Sequence, residues 1–212
     1  MQSAAIAALI GCLLCYPRLA HWSNRSYPIW YLEATLLLGG FVLWALVFAW
    51  HTEYTHRPVI TLKLEPVPYI LATLAAVVVA FLLLRVVDPP LRIRFPEDYP
   101  STFQQWSAMT LFSLGFTKLF LIYAPFAWSL RLCKREWMAI LLTVLFGVCV
   151  VVIQTHSLPK PIALPTLCVL ALFRAGTSLV SVWLYSRYGL ILVCWWSLLL
   201  QSRHLLALTG GS

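Results

Sequence analysis

Residues 67–87 read VPYILATLAAVVVAFLLLRVV, bracketed by Pro66 before them and by Asp88-Pro89-Pro90 after them. At about 1.5 Å per residue such a helix covers roughly 30 Å, the thickness of a bilayer's hydrocarbon core. Because the run is apolar all the way round, it is expected to face lipid. Working outward, the same reading of apolar runs and their breakers gives six more helices. They fall at about 2–16, ended by Pro17-Arg18, at 28–50 between Trp30 and Trp50, and at 106–131, 137–154, 163–184 and 188–208. The expected fold is all-α, a polytopic transmembrane bundle of about seven helices forming one membrane domain over 1–212. The first helix is short enough to be tilted or interfacial. The 88–105 loop, with Asp88, Glu97, Asp98 and four prolines, is expected outside the hydrocarbon.

Composition agrees. Of 212 residues 61% are hydrophobic and 10% charged, with a mean hydropathy of +0.85, against about 25% charged in a soluble domain. That excludes a soluble globular protein, and the high apolar content excludes intrinsic disorder. Ten Trp and nine Tyr suit anchors at two lipid–water interfaces. The net charge of +8 comes from cations scattered at the ends of apolar runs. This is the pattern of loops facing anionic lipid, so the bilayer is the expected partner and nucleic acid is not. Lys and Arg divide almost evenly between alternate loops. The densest cluster, Arg131, Lys134 and Arg135, is placed in the cytoplasm by the positive-inside rule, with the acidic 88–105 loop opposite.

Cys12, Cys149, Cys168 and Cys194 lie inside apolar runs, where Cys behaves as a small hydrophobe. Cys12 and Cys15 form a CxxC with no second pair of ligands at zinc spacing, so no metal and no cofactor is expected. Leu9-Ile10-Gly11-Cys12 faintly resembles a lipoprotein cleavage box, but no cation precedes it, and a first helix is the expectation.

Three charges stand within spans: Glu33, Lys118 and Arg174. Each costs roughly 2.5–3.5 kcal/mol at mid-bilayer and needs a reason. In one reading Lys118 or Arg174 binds an anionic group or a peptide carbonyl; in the favoured one the cations are tied to Glu33 or to backbone carbonyls. Ala175, Gly176, Thr177 and Ser178 beside Arg174 form a small, polar patch that predicts an interior sixth helix. His156 and His204 close the fifth and seventh spans as interfacial residues, or else meet as bases or ligands. Aspartyl intramembrane chemistry needs two membrane aspartates, and the chain has only Asp88 and Asp98, both in one loop.

The stretch Ala124-Pro125-Phe126-Ala127-Trp128-Ser129-Leu130-Arg131, a short basic turn, Trp137 to Gly147, and later Trp183-Leu184-Tyr185-Ser186-Arg187-Tyr188-Gly189-Leu190 carry a likeness. With four closely connected helices over 106–208, this half resembles the CPBP family of intramembrane endopeptidases, the CAAX-protease and bacteriocin-processing group. The resemblance implies a Glu-Glu pair separated from a following Arg by three residues. If Arg131 is that Arg, the glutamates' places hold Phe126 and Ala127. The family's histidines would fall at Val150, four residues after Phe146, and at Leu198, nine after Gly189. Without a carboxylate to activate water, the chain looks like an inactive relative that binds or chaperones membrane peptides or partner proteins, with Glu33, Lys118, Arg174 and Arg131 as polar ties or groove contacts. The alternatives are a divergent protease using Glu33 with His156 or His204, and a small transporter in which Lys118 and Arg174 recognise an anion. The expected location is a bacterial inner membrane.

Overall fold

The computed structural model describes residues 1–21, 26–61, 65–94, 99–156 and 163–209, and every regular element among them is helical. Seven helices are long and apolar enough to cross a bilayer: α1 (Gln2–Ala20), α2 (Ile29–Thr55), α3 (Pro66–Ile93), α4 (Phe103–Cys133), α5 (Glu136–Thr155), α6 (Leu164–Tyr188) and α7 (Leu190–Leu208). The chain is thus a multi-pass integral membrane protein built as an all-α bundle. The seven expected runs are all present, and the differences lie at their ends.

Asp88-Pro89-Pro90 does not end the third helix. Its helical path continues to Arg94, because the turn before the prolines, Leu83–Val87, is π-helical. A proline ring clashes with the carbonyl four residues earlier and removes one hydrogen bond; a widened turn relieves both defects. Asp88 therefore sits inside the bundle at 3% exposure, not in an outer loop. The same device recurs in α4, where the π-turns Ser113–Thr117 and Leu119–Tyr123 precede Pro125. In α2 a π-turn over Val47–His51 carries the helix past the expected end and turns His51 fully inward.

The most interior span is α4, with 44% of its apolar window buried, against 22% for α6. The expected interior sixth helix is corrected by its facing. Leu172 and Leu179 are exposed and a Cβ on Gly176 would meet no atom, while Ser178, Ser181, Val182 and Tyr185 point inward. The small patch thus lies half on the lipid side. α3 behaves as expected, with Leu71, Leu74 and Val78 exposed. Its inner stripe Ala72, Ala76 and Ala80, one residue per turn, is buried where α3 runs along α7. At the α1–α4 crossing a Cβ on Gly115 would stand 3.0 Å from the Gly11 carbonyl, so glycine sets that close approach. At about 1.5 Å per residue, α1 with 19 residues is about 28 Å long and α4 with 31 is about 46 Å.

Alternate crossing sorts the polar groups onto two ends of the bundle. One end, here the basic face, carries Arg131, Lys134 and Arg135. Arg57 and Arg187 flank Glu136 at 3.5 and 4.0 Å, and Arg57 donates to the Ser186 carbonyl at 2.7 Å. The α6–α7 turn is locked to this face: Leu190 N–H donates to the Val59 carbonyl at 2.9 Å. Gly189 makes the turn at φ 81°, with Val59 O only 3.0 Å from where a Cβ would stand. The opposite end, the loop face, carries Asp88, Tyr99 and Arg203.

Candidate binding vestibule at the loop face

The start of α4 is fixed by a capping arrangement. Thr102 Oγ1 accepts from Gln105 N–H at 3.2 Å, and Gln105 Oε1 accepts from Ser101 N–H and its hydroxyl at 2.9 and 2.8 Å, so side chains satisfy the first turn. From there Trp106, Met109, Thr110, Ser113 and Thr117 recur at helical spacing and share one face. Together with Pro100, Arg18 of α1 and Gln201, Arg203 and His204 of α7, that face lines a cavity of about 280 Å³. The eleven steps from Trp106 to Thr117 correspond to about 16 Å of depth, roughly half the hydrocarbon core.

The walls are held by polar ties. Trp106 Nε1 donates to the Gln201 carbonyl at 2.9 Å, joining α4 to α7. Arg203 Nε meets Asp88 Oδ2 at 3.0 Å, with side-chain exposures of 15% and 5%, and its Nη1 donates to the Leu200 carbonyl at 2.8 Å. Tyr99 donates to Asp88 Oδ1 at 3.2 Å. Burial and, second, the neighbouring carboxylate raise the Tyr99 hydroxyl above its ordinary range, which keeps it a donor. Arg92 lies over the Tyr99 ring, and His204 meets the same ring edge-on at 5.4 Å.

Two lining groups are uncommitted. Thr35, Thr73, Thr143 and Thr177 all donate to the carbonyl four residues earlier at 2.7–2.8 Å, the usual outlet for a helical hydroxyl. Thr110, at 3% exposure, has no such partner, and neither does Nδ1 of His204 at 7%. An orphaned buried polar atom costs about 1–3 kcal/mol, so both stand ready for a ligand. Arg18 faces the Phe112 ring at 5.2 Å and, among the described residues, makes no ion pair. With Asp88 committed to Arg203, the charge left over among the described lining residues is that of Arg18.

Lys118 follows Thr117 at the junction of the two π-turns, with Arg174 and Cys194 the charged and titratable groups within its electrostatic reach. Arg174 crosses α5 at Gly147, and its Nε and the Ser178 hydroxyl are buried without partners. The favoured reading ties these cations to Glu33 or to backbone carbonyls; among the described residues no ion pair joins Glu33 to either cation. Glu33 lies four residues inside the start of α2, about 6 Å from the loop face, whereas both cations are at mid-span. What the Glu33 position does offer is its carbonyl, which accepts the Cys12 thiol at 3.6 Å. Nor does any described histidine meet Glu33. His204 faces Tyr99, and the His156 side chain lies outside the described residues, so its meeting with His204 does too.

At the basic face Arg131 donates to the Tyr54 hydroxyl. Phe126 and Ala127 are both fully buried. Phe126 packs on Tyr185 and His51 at 5.7 and 6.0 Å between ring centres, and Tyr185 on Tyr123 and His51 at 4.7 Å each. Val150 packs against this core. The residues that sequence reasoning missed are Asp88 as a buried anion, Tyr99, Arg18 and Thr110. The signal within reach was the amide and hydroxyl series along 104–117, Gln104, Gln105, Ser107, Thr110, Ser113 and Thr117, which is too polar for a lipid-facing stripe.

These features define a class, a multi-pass helical membrane protein with a polar vestibule at one face. Comparison with known proteins finds no matching family model, no matching curated protein and no matching solved structure.

Proposed function

We propose that this protein is a non-catalytic, CPBP-like membrane protein of a bacterial inner membrane that binds membrane peptides, holding a polar chain end in the loop-face vestibule. The observation that carries the reading is the contrast between two places. Where the CPBP resemblance calls for two glutamates, Phe126 and Ala127 are sealed in an aromatic knot. A built polar cavity with uncommitted groups stands instead at the other face. Neither Phe nor Ala can activate water. The vestibule, by contrast, is concave and lined mainly by polar side chains, with Pro100, Trp106, Met109 and Phe112 as its apolar part, and convergent polar groups in a cleft are what fix a ligand.

Its size limits what is held. At about 30 Å³ per water-sized group, 280 Å³ admits roughly nine such groups, and a helix about 10 Å across does not fit. A chain end does. The test uses purified protein in nanodiscs with a panel of labelled single-span peptides. Saturable binding with every peptide left intact is expected. Cleavage by the wild type that Glu33→Gln abolishes would overturn the non-catalytic reading in favour of a divergent protease.

A further inference from the structure

Building on the peptide-binding reading, we infer that the vestibule recognises the free carboxyl terminus of a membrane peptide, with Arg18 as its charge partner. The argument starts from charge. Among the described lining residues Asp88 neutralises Arg203, and Arg18 is the cation that makes no ion pair, so the site matches a single negative charge. A carboxylate carries that charge and offers about four acceptor positions on two oxygens. Arg18 supplies a forked donor suited to it. Thr110 Oγ1 and His204 Nδ1, both more than nine-tenths buried and both without partners, supply further hydrogen bonds.

The donor supply exceeds what one carboxylate can use, since Ser113 and Gln201, each with a donor side chain, also line the cavity. A peptide whose last few residues run extended into the cavity uses the surplus, because the carbonyls of those residues have no partners within a helix. A fatty acid or a free anion presents no such carbonyls. The lining of Pro100, Met109 and Phe112 then takes the terminal side chain.

The experiment places the full chain in zwitterionic nanodiscs and titrates a labelled single-span helical peptide as the free acid and as its C-terminal amide, with decanoate and acetate as competitors. The acid is expected to bind at least about tenfold more tightly than the amide, the difference a charge-assisted hydrogen bond makes. Arg18→Gln is expected to bring the acid to the level of the amide, Arg18→Lys to restore part of the preference, and Arg135→Gln, on the basic face, to change nothing. Thr110→Val weakens the acid without touching Arg18, which guards against a misfolded Arg18 variant. Equal affinity for acid and amide overturns the carboxylate proposal and leaves peptide binding standing. Binding of neither peptide overturns both, and tight decanoate binding without peptide binding replaces the peptide by a lipid acid.

Discussion

The charged residues that matter most lie within helices yet are paired across the bundle. Asp88 looks in sequence like the first residue of a loop, yet it is the buried partner of Arg203 and Tyr99. Removing one member of a buried pair leaves the other charge uncompensated, at a cost of about 3–5 kcal/mol. Asp88→Asn is accordingly expected to destabilise the protein by that amount in denaturant unfolding in detergent, whereas Arg92→Gln, whose side chain lies over a ring, shifts stability by under about 1 kcal/mol. Lys118 behaves in the opposite sense. Its charged neighbour is another cation, so Lys118→Met is expected to stabilise the fold by about 1–3 kcal/mol, given the insertion cost of a mid-bilayer ammonium. A loss of stability in the same unfolding assay would show that Lys118 has an anionic partner. Glu33, Lys118 and Arg174 were legible as in-span charges because apolar runs make charge conspicuous. Their mutual arrangement was not, since run-reading gives depth along one helix and no azimuth between helices.

At the level of elements, seven apolar runs sufficed to find the spans, and prolines misled about where they end. In soluble chains Pro89-Pro90 stops a helix. Here a π-turn immediately upstream frees the carbonyls the rings would strike, and in a bilayer an intact helix is far cheaper than an exposed backbone. The interior position of α4 could have been weighed from its hydroxyl and amide stripe, while the single Arg174 drew attention to α6. Two substitutions test the packing of elements. Ala76→Leu is expected to overpack the α3–α7 seam and cost about 1–3 kcal/mol, read as a fall in Tm in detergent. Gly189→Ala places a Cβ 3.0 Å from Val59 O at a φ of 81°, and loss of about 1–2 kcal/mol is expected, with faster proteolysis of the α6–α7 turn.

For the whole molecule, the two faces differ in kind. The basic face is closed by Glu136 between Arg57 and Arg187 and by an aromatic knot beneath. The loop face is opened by the vestibule. That division was half legible. The distribution of cations announced two faces, but the cavity is assembled from α1, α4, α7 and Pro100, segments as far apart as Arg18 and His204, and no local pattern joins them. The disparity in helix length has a further consequence. α1, about 28 Å long, lies against α4, about 46 Å, so hydrophobic mismatch is built into one flank of the bundle. A hydrocarbon core of about 30 Å is spanned by α1 almost end to end, which sets Arg18, two residues from the helix end, near the headgroups, while α4 tilts or projects beyond it. A thicker bilayer takes up more of α4 and leaves α1 short, which makes membrane thickness itself a variable that tunes the protein's occupancy and its lateral sorting.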